Sequence, residues 1–361
     1  MTGWRRTTIG DEITFQRGFD ITRKFQRDGN IPVVSSGGIG SYHDESAASG
    51  PGVVIGRKGT LGKVFYLEGD YWPHDTTLWV KDFKGSWPKF VYYFMTQLDT
   101  TWLDAGSANP TLNRNHLHPL KIVWPPAADQ RAIAEVLGAL DDKIAANARL
   151  ISAADGLSHA LFQSVATHSD SLPLSATARF VNGKAFTKGA SGTGRVVIRI
   201  AELNSGIGGS TVFSDAEVED DFLAGPGDIL FAWSGSLTVH RWFRREAIIN
   251  QHIFKVIPNG YPSWLVYELL RKRLPYFKGI AADKATTMGH IQRRRLDELV
   301  DIPSRSAISR LDALMSSLWA RMLLAERENE TLAATRDALL PQLMSGALRV
   351  KDAEKVLEEV V

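Results

Sequence analysis

The chain contains no cysteine. That excludes disulfides and thiolate metal sites, and it fits a reducing, cytoplasmic compartment. No run of about eighteen apolar residues is present, the length a membrane-spanning helix needs. The start, Met1-Thr2-Gly3-Trp4-Arg5-Arg6, has no apolar signal core, so no membrane partner is expected. Excess charge is also lacking: 42 Lys and Arg stand against 40 Asp and Glu, for a net charge of +2. A polycation that coats nucleic acid through its overall field is thereby excluded, and any nucleic-acid contact has to come from local basic loops.

Catalytic signatures are missing too. Gly56-Arg57-Lys58-Gly59-Thr60-Leu61-Gly62-Lys63 has the look of a phosphate loop. Its Gly-to-Gly-Lys spacing is one residue too long, and Val64 stands where Ser or Thr belongs. Gly38-Ile39-Gly40 lacks the third glycine of a dinucleotide fingerprint. There is no Asp/Asn-Pro-Pro-aromatic tetrad, and Asn109-Pro110-Thr111-Leu112 is not one, so the chain is not itself an amino-methyltransferase. The nine histidines have no metal-ligand spacing, and His116 and His118 read as turn or surface residues. Glu202, Asp215, Glu217, Glu219, Asp220 and Asp221 form an acidic run that reads as a solvated face. Neither catalytic residues nor a metal site are expected.

What is present is a folded, two-domain composition: 361 residues, 44% apolar and 23% charged. The ten Trp and 31 Gly suggest β-rich units with tight turns and aromatic anchors. Two stretches dominate. After Trp124-Pro125-Pro126, Ile133, Leu140, Asn147, Ala154 and Leu161 recur every seven residues, with Leu137, Ile144, Ile151, Ser158 and Val165 as a second series offset by four. Near the end, Leu311, Leu318, Ala325, Leu332 and Leu339 run beside Met315, Met322, Asn329, Arg336 and Leu343. These are the a and d positions of a coiled coil. Laid antiparallel with Asn147 facing Asn329, every a position meets a d position: Leu137 meets Leu339, Ile144 meets Leu332, Val165 meets Leu311. The Asn pair then fixes register at some cost in stability. The Leu140–Arg336 layer needs the Arg stem to lie flat with its head in water.

The remainder is duplicated. Short strand-like runs such as Ile31-Pro32-Val33-Val34 and Gly52-Val53-Val54-Ile55 alternate with turns, and a helix is expected over Trp87 to Leu98 with Pro88 in its first turn. Pro51-Gly52 recurs as Pro226-Gly227, 175 positions on. Arg57-Lys58-Gly59-Thr60-Leu61 corresponds to Trp233-Ser234-Gly235-Ser236-Leu237, and Trp87-Pro88 to Tyr261-Pro262. The expected fold is α+β: two tandem β-rich domains related by pseudo-twofold symmetry and separated by an antiparallel two-helix coiled coil. Its parts are residues 1–126 (first domain), 127–168 (first spacer helix), 169–304 (second domain), 305–346 (second spacer helix) and 347–361 (a C-terminal tail).

Three stretches carry a family resemblance. They are Leu117-His118-Pro119-Leu120-Lys121-Ile122-Val123-Trp124-Pro125-Pro126 followed by Asp129-Gln130-Arg131-Ala132-Ile133-Ala134; Pro226-Gly227-Asp228-Ile229-Leu230-Phe231; and Leu339-Leu340-Pro341-Gln342-Leu343-Met344-Ser345-Gly346. With the domain–helix duplication, the chain resembles the specificity subunit of type I restriction–modification systems. The second junction, Ile302-Pro303-Ser304-Arg305-Ser306, departs from the pattern, lacking the second Pro and the acidic-Gln pair. The resemblance implies a non-catalytic subunit with two target-recognition domains, each reading half of a split site in double-stranded DNA. It implies modification subunits, two in number, that dock on the helices and use S-adenosylmethionine. It also implies restriction (motor) subunits that use ATP and Mg, with no cofactor in this chain.

Base reading needs side chains with paired donors and acceptors on loops that enter a groove, and phosphate contact needs Lys, Arg, hydroxyls or backbone N–H groups. In the first domain the candidates are Arg57, Lys58, Gly59, Thr60 and Lys63, with Asn109, Asn113, Arg114 and Asn115 on a second loop. In the second they are Ser234, Ser236, Thr238, His240 and Arg241, with Lys284, Thr286, Thr287, His290, Gln292 and Arg293. Two rival readings remain at this stage. A protein scaffold built on the long helices predicts little salt dependence of binding, and a cryptic nuclease predicts metal-dependent cleavage by the isolated chain.

Overall fold

A computed structural model of the chain describes residues 3–99, 111–166, 169–283 and 290–360. It divides into two compact units: Met1–Ile144 with Thr331–Val361, and Ala145–Glu330. Both are α+β, and each owns one stretch of each long helix, α4 (Ala127–Val165) and α8 (Arg305–Ser345).

In the first unit, β1 (Arg5–Thr8) pairs antiparallel with β9 (Lys121–Trp124), so the two ends of the domain's chain meet. A short turn of helix, α1 (Ile9–Glu12), capped by Thr8, leads into the main sheet. That sheet holds β2 (Thr14–Arg17), β8 (Thr77–Asp82), β5 (Gly52–Gly56) and β6 (Val64–Leu67), in that order. Beside it lies a small sheet of β4 (Gly38–His43), β3 (Ile31–Ser35) and β7 (Trp72–Pro73). Every residue of β5 is buried, because both faces are covered. Val53 and Ile55 join Phe15, Leu78 and Val80 under α2 (Pro88–Thr96), with Leu137 and Leu140 of α4 and Leu332 and Leu339 of α8. Val54 on the opposite face packs with Val34, Leu67 and Tyr71.

The second unit repeats this plan, with one more strand in its smaller sheet. β10 (Ser169–Pro173) pairs with β19 (Leu299–Pro303). Its main sheet runs β11 (Ala178–Asn182), β18 (Ile253–Pro258), β15 (Ile229–Ala232), β16 (Thr238–Arg241). Its smaller sheet runs β13 (Val212–Ser214), β12 (Arg195–Ile198), β17 (Ala247–Ile249), β14 (Leu223–Ala224). The core repeats too: Phe180, Ile229, Phe231, Phe254 and Val256 lie under α7 (Ser263–Asp283), with Phe162 of α4 and Met315 of α8. The α7 helix outruns its first-unit counterpart, which stops at Thr96, short of the Leu98 expected from sequence.

The start of α4 packs in the first unit with the end of α8, and the end of α4 in the second with the start of α8, so the helices run antiparallel within each unit. In the second unit Asn147 Nδ2 donates to Asn329 Oδ1 at 3.0 Å and to Glu328 Oε2 at 2.7 Å. Arg336 does not send its head to water. Its Nη1 donates to Asp141 Oδ1 at 2.7 Å and its Nη2 to Asp337 Oδ1 at 2.8 Å, an ion-paired way to tolerate a cation beside buried Leu140. The end of the chain is no simple tail. Val350–Val360 forms helix α9, with Ala353 fully buried and Leu348, Val350 and Leu357 on the first-unit core. Among the described residues no helix is long and apolar enough to cross a membrane.

The two junctions differ for a local reason. Gln130, 3% exposed, accepts from the Trp87 N–H at 2.8 Å and donates to the Pro125 carbonyl at 2.9 Å, tying the start of α2 to the start of α4. At the second junction Ser304 Oγ accepts from the Ala307 N–H instead, and apolar Ile308 is buried one turn into α8. Gln130→Ala is expected to lower stability by about 1–3 kcal/mol, because it strands a backbone N–H away from water. Urea denaturation of the whole chain measures this, and a change under about 0.5 kcal/mol contradicts the role given to Gln130.

Candidate nucleic-acid interface

Four segments of the first unit converge at one end of its sheets. The loop after β5 is fixed by Arg57 N–H and Lys58 N–H, which donate to the Thr76 carbonyl at 2.8 and 3.2 Å. Ser36, in the β3–β4 turn, donates its N–H to Thr76 Oγ1 at 3.2 Å. Lys63 Nζ reaches the Gly37 carbonyl at 3.5 Å, and the Leu112 N–H donates to the Arg57 carbonyl at 2.9 Å. The two loops proposed from sequence are therefore neighbours. Gly59 and Gly62 sit at φ 76° and 71°, which a side chain would strain, so the loop bends back sharply and presents backbone. Lys58, Gly59, Thr60, Lys63, Arg114 and Asn115 are exposed, and Arg57 is half-buried. Asn113 is also exposed, but its side chain caps α3 (Arg114–Leu117), accepting from the Asn115 N–H at 3.1 Å. Asn109 lies outside the described residues.

Sequence reasoning missed the groups behind this loop. Arg17, at the end of β2, donates Nη2 to Asp75 Oδ2 at 2.7 Å. Asp75 also faces His74 Nδ1 at 3.1 Å, and Arg57 Nη1 donates to the Asp75 carbonyl oxygen at 3.4 Å. Arg57 is held below the usual arginine pKa, first by desolvation and then by the charge of Arg17. Two guanidiniums thus crowd one carboxylate. Asp20, His74 and Asp75 bring ligand atoms within 4.8 Å of one another, a grouping no sequence spacing reveals, and Arg17 already supplies the positive charge there.

The second unit builds the same cluster from different side chains. Trp233 N–H donates to the His252 carbonyl at 3.1 Å, and Ile291 N–H donates to the Trp233 carbonyl at 3.1 Å. Ser234 pairs across with His290. The Trp233 indole donates Nε1 to Asn182 Oδ1 at 2.7 Å and lies 5.2 Å from the His252 ring and 6.4 Å from that of His290. Gly235 sits at φ 65°. Ser236, His290, Gln292 and Arg293 are exposed, whereas Ser234 is buried. Arg293 Nη2 donates to the Phe180 carbonyl at 3.1 Å. Lys284, Thr286 and Thr287 lie outside the described residues.

Two expectations are corrected here. Thr238, His240 and Arg241 form β16, which follows the loop, and all three are half-buried in the body of the unit. Thr238 Oγ1 bonds His240 Nε2 at 2.9 Å, and burial pushes the His240 pKa down. Arg241 clamps Glu326 of α8 through Nη2 at 2.7 Å and Nε at 3.1 Å, with Trp319 against its guanidinium at 4.8 Å. Its charge is spent inside the unit. Glu202 is likewise no solvated carboxylate. It is 3% exposed, binds the Arg199 guanidinium at 2.6 Å and accepts from Thr211 Oγ1 at 3.1 Å. His118 lies in a turn, as expected from sequence, and there its Nε2 accepts the Phe15 N–H at 3.0 Å.

The comparisons with known proteins agree with this architecture. The family model described as Type I restriction modification DNA specificity domain matches residues 1–154. The Type I restriction enzyme EcoprrI specificity subunit of Escherichia coli is 24% identical over 143 residues, 38% of this chain. That match spans about a third of the relative's own length, 36%. The Type-I restriction-modification system S subunit from M. genitalium superposes with a TM-score of 0.66 at 16% identity, over 95% of this chain and 96% of that one. The HsdS subunit from Thermoanaerobacter tengcongensis gives a TM-score of 0.36 at 16% identity, over 96% and 98%. The superposition with the M. genitalium protein shows a shared fold. Over residues 1–154 the chain is similar to type I restriction–modification DNA specificity proteins.

Proposed function

We propose that this chain is the non-catalytic, DNA-reading subunit of a type I restriction–modification complex, each unit reading one half of a bipartite duplex site. The observation that carries the reading is the repetition of one strand scaffold, twice ending in an exposed, glycine-bent loop cluster. A scaffold that repeats while its loop chemistry changes is what two different half-sites require, since half-site spacing follows from how two readers are held. The paired helices α4 and α8 set the unread spacer, with the Asn147–Asn329 contact as their register mark. They also dock two modification subunits, a role supported by the exposed Leu157, Leu314 and Leu324 on their surfaces. The modification subunits supply S-adenosylmethionine and flip the target adenine into their own pockets. The restriction subunits supply ATP-driven translocation with Mg, and the assembly works in the cytoplasm.

Lys58, Lys63 and Arg114 are the phosphate contacts in this reading, and they make binding fall with salt. The test is the chain co-purified with its modification subunits, measured against duplex DNA. A preference for one split site over random duplex of about 10³ or more is expected. Lys58→Ala should weaken binding to all sequences alike and reduce the salt slope by about one. Equal affinity for all duplexes defeats the proposal, and salt-independent binding defeats the phosphate assignment.

A further inference from the structure

The hydrogen-bond ladders allow the two loop clusters to be compared position by position. Gly18 N–H donates to the Thr77 carbonyl at 3.1 Å in one unit, and Gly183 N–H to the Ile253 carbonyl at 3.0 Å in the other. Arg57 N–H meets the Thr76 carbonyl as Trp233 N–H meets that of His252. Phe19 bridges His74 as Lys184 bridges Asn250. These contacts set Arg17 against Asn182, Arg57 against Trp233 and Asp75 against Gln251. The backbone is shared, but the chemistry is not: two guanidiniums and a carboxylate stand where the other unit has an indole and two amides.

We propose that these three positions form one specificity module used twice, selecting a G·C pair in the half-site of the first unit and an A·T pair in that of the second. The inference rests on the DNA-reading function above. In the major groove, guanine shows two acceptors and its cytosine one donor. Arg17, half-exposed, is a fork of donors held by the Asp75 carboxylate. Fork and carboxylate side by side are the complement of that edge. A phosphate would face Asp75 as a like charge, so the backbone is the poorer occupant. Arg57 adds a second cation that, among the described residues, hydrogen-bonds through its guanidinium to the Asp75 carbonyl alone, which leaves donor capacity for guanine.

In the second unit the cluster positions carry no charge. The exposed Gln251 amide offers one donor and one acceptor, the pattern of adenine's N6 and N7. Trp233 is held by Asn182, which acts as a positioning residue, and presents an apolar ring to a thymine methyl.

The experiment selects duplexes from a randomised library with the chain bound to its modification subunits, then repeats the selection with Arg17→Met, Arg17→Lys and Gln251→Glu. Arg17 and Gln251 are exposed, so the variants are expected to melt with the parent protein. Arg17→Met should relax one G·C position of one half-site by about tenfold or more and leave the other half unchanged. Arg17→Lys keeps the charge but not the fork, and should lose the same preference while keeping the salt slope. Gln251→Glu should move one A·T position of the opposite half toward C·G, because a carboxylate only accepts. A uniform loss across all sequences makes Arg17 a phosphate contact and overturns the proposal, and so does an unchanged motif. If the parent protein enriches no motif at all, the DNA-reading function itself falls, which separates the two failures.

Discussion

Arg241→Ala is expected to cost the chain about 3–5 kcal/mol of stability, since it leaves a carboxylate sequestered without its counter-ion. The side chains of Arg241 and Glu326 are 7% and 17% exposed, and two hydrogen bonds join them. The loss falls on the second unit, where the pair ties β16 to α8. Arg241→Lys should recover only part of it, because an ammonium cannot match both carboxylate oxygens or stack on Trp319 as a guanidinium does. Replacing both partners, Arg241→Met with Glu326→Leu, should be much milder than either single change, because no lone charge remains buried. Denaturant unfolding of the whole chain reads all four proteins. A loss below about 1 kcal/mol for Arg241→Ala would return Arg241 to the surface and to candidacy as a DNA contact.

That case shows where sequence reading stops. Arg241 sits in a strand next to a loop with DNA-contact chemistry, and nothing local reveals a partner 85 residues away. The same holds for Arg17 and Asp75, 58 residues apart, and for Trp233 and Asn182, 51 apart. These contacts exist only once the strands are registered. Glu202 reads as solvated from sequence because a run of acids hides the Arg199 and Thr211 that surround it in the fold. Features that repeat along the chain were legible. The heptads placed Asn147 opposite Asn329, and the second Gly-bearing loop was found by similarity to the first. The periodic signal in Val350, Ala353 and Leu357 was also present, but three apolar positions in an 11-residue helix were too few to outweigh a chain end. Gln130 reads in the sequence only as part of a motif, and its work is to join two backbone segments that the sequence keeps 43 residues apart.

Inserting four residues into α4 beside Asn147 and four into α8 beside Asn329 is expected to lengthen the preferred gap between half-sites by about two base pairs. Four helical residues add about 6 Å, and two base pairs span about 7 Å. Rotation makes four a better choice than seven. Four residues turn a helix by about 40° beyond a full turn, close to the roughly 70° that two base pairs turn the duplex. A coiled coil absorbs such an insertion by local unwinding. A full heptad keeps the seam in phase and so adds almost no rotation. The three base pairs it would span turn the duplex by about 100°, and no gap length satisfies both distance and angle. The four-residue protein should therefore lose affinity for the original site toward its non-specific level, about 10³-fold or more, and regain it on the longer site. The heptad protein should bind neither well. Binding measured across a series of gap lengths decides the matter. An unchanged optimum in the four-residue protein would mean that something other than the paired helices sets the distance, even though both units still read their half-sites.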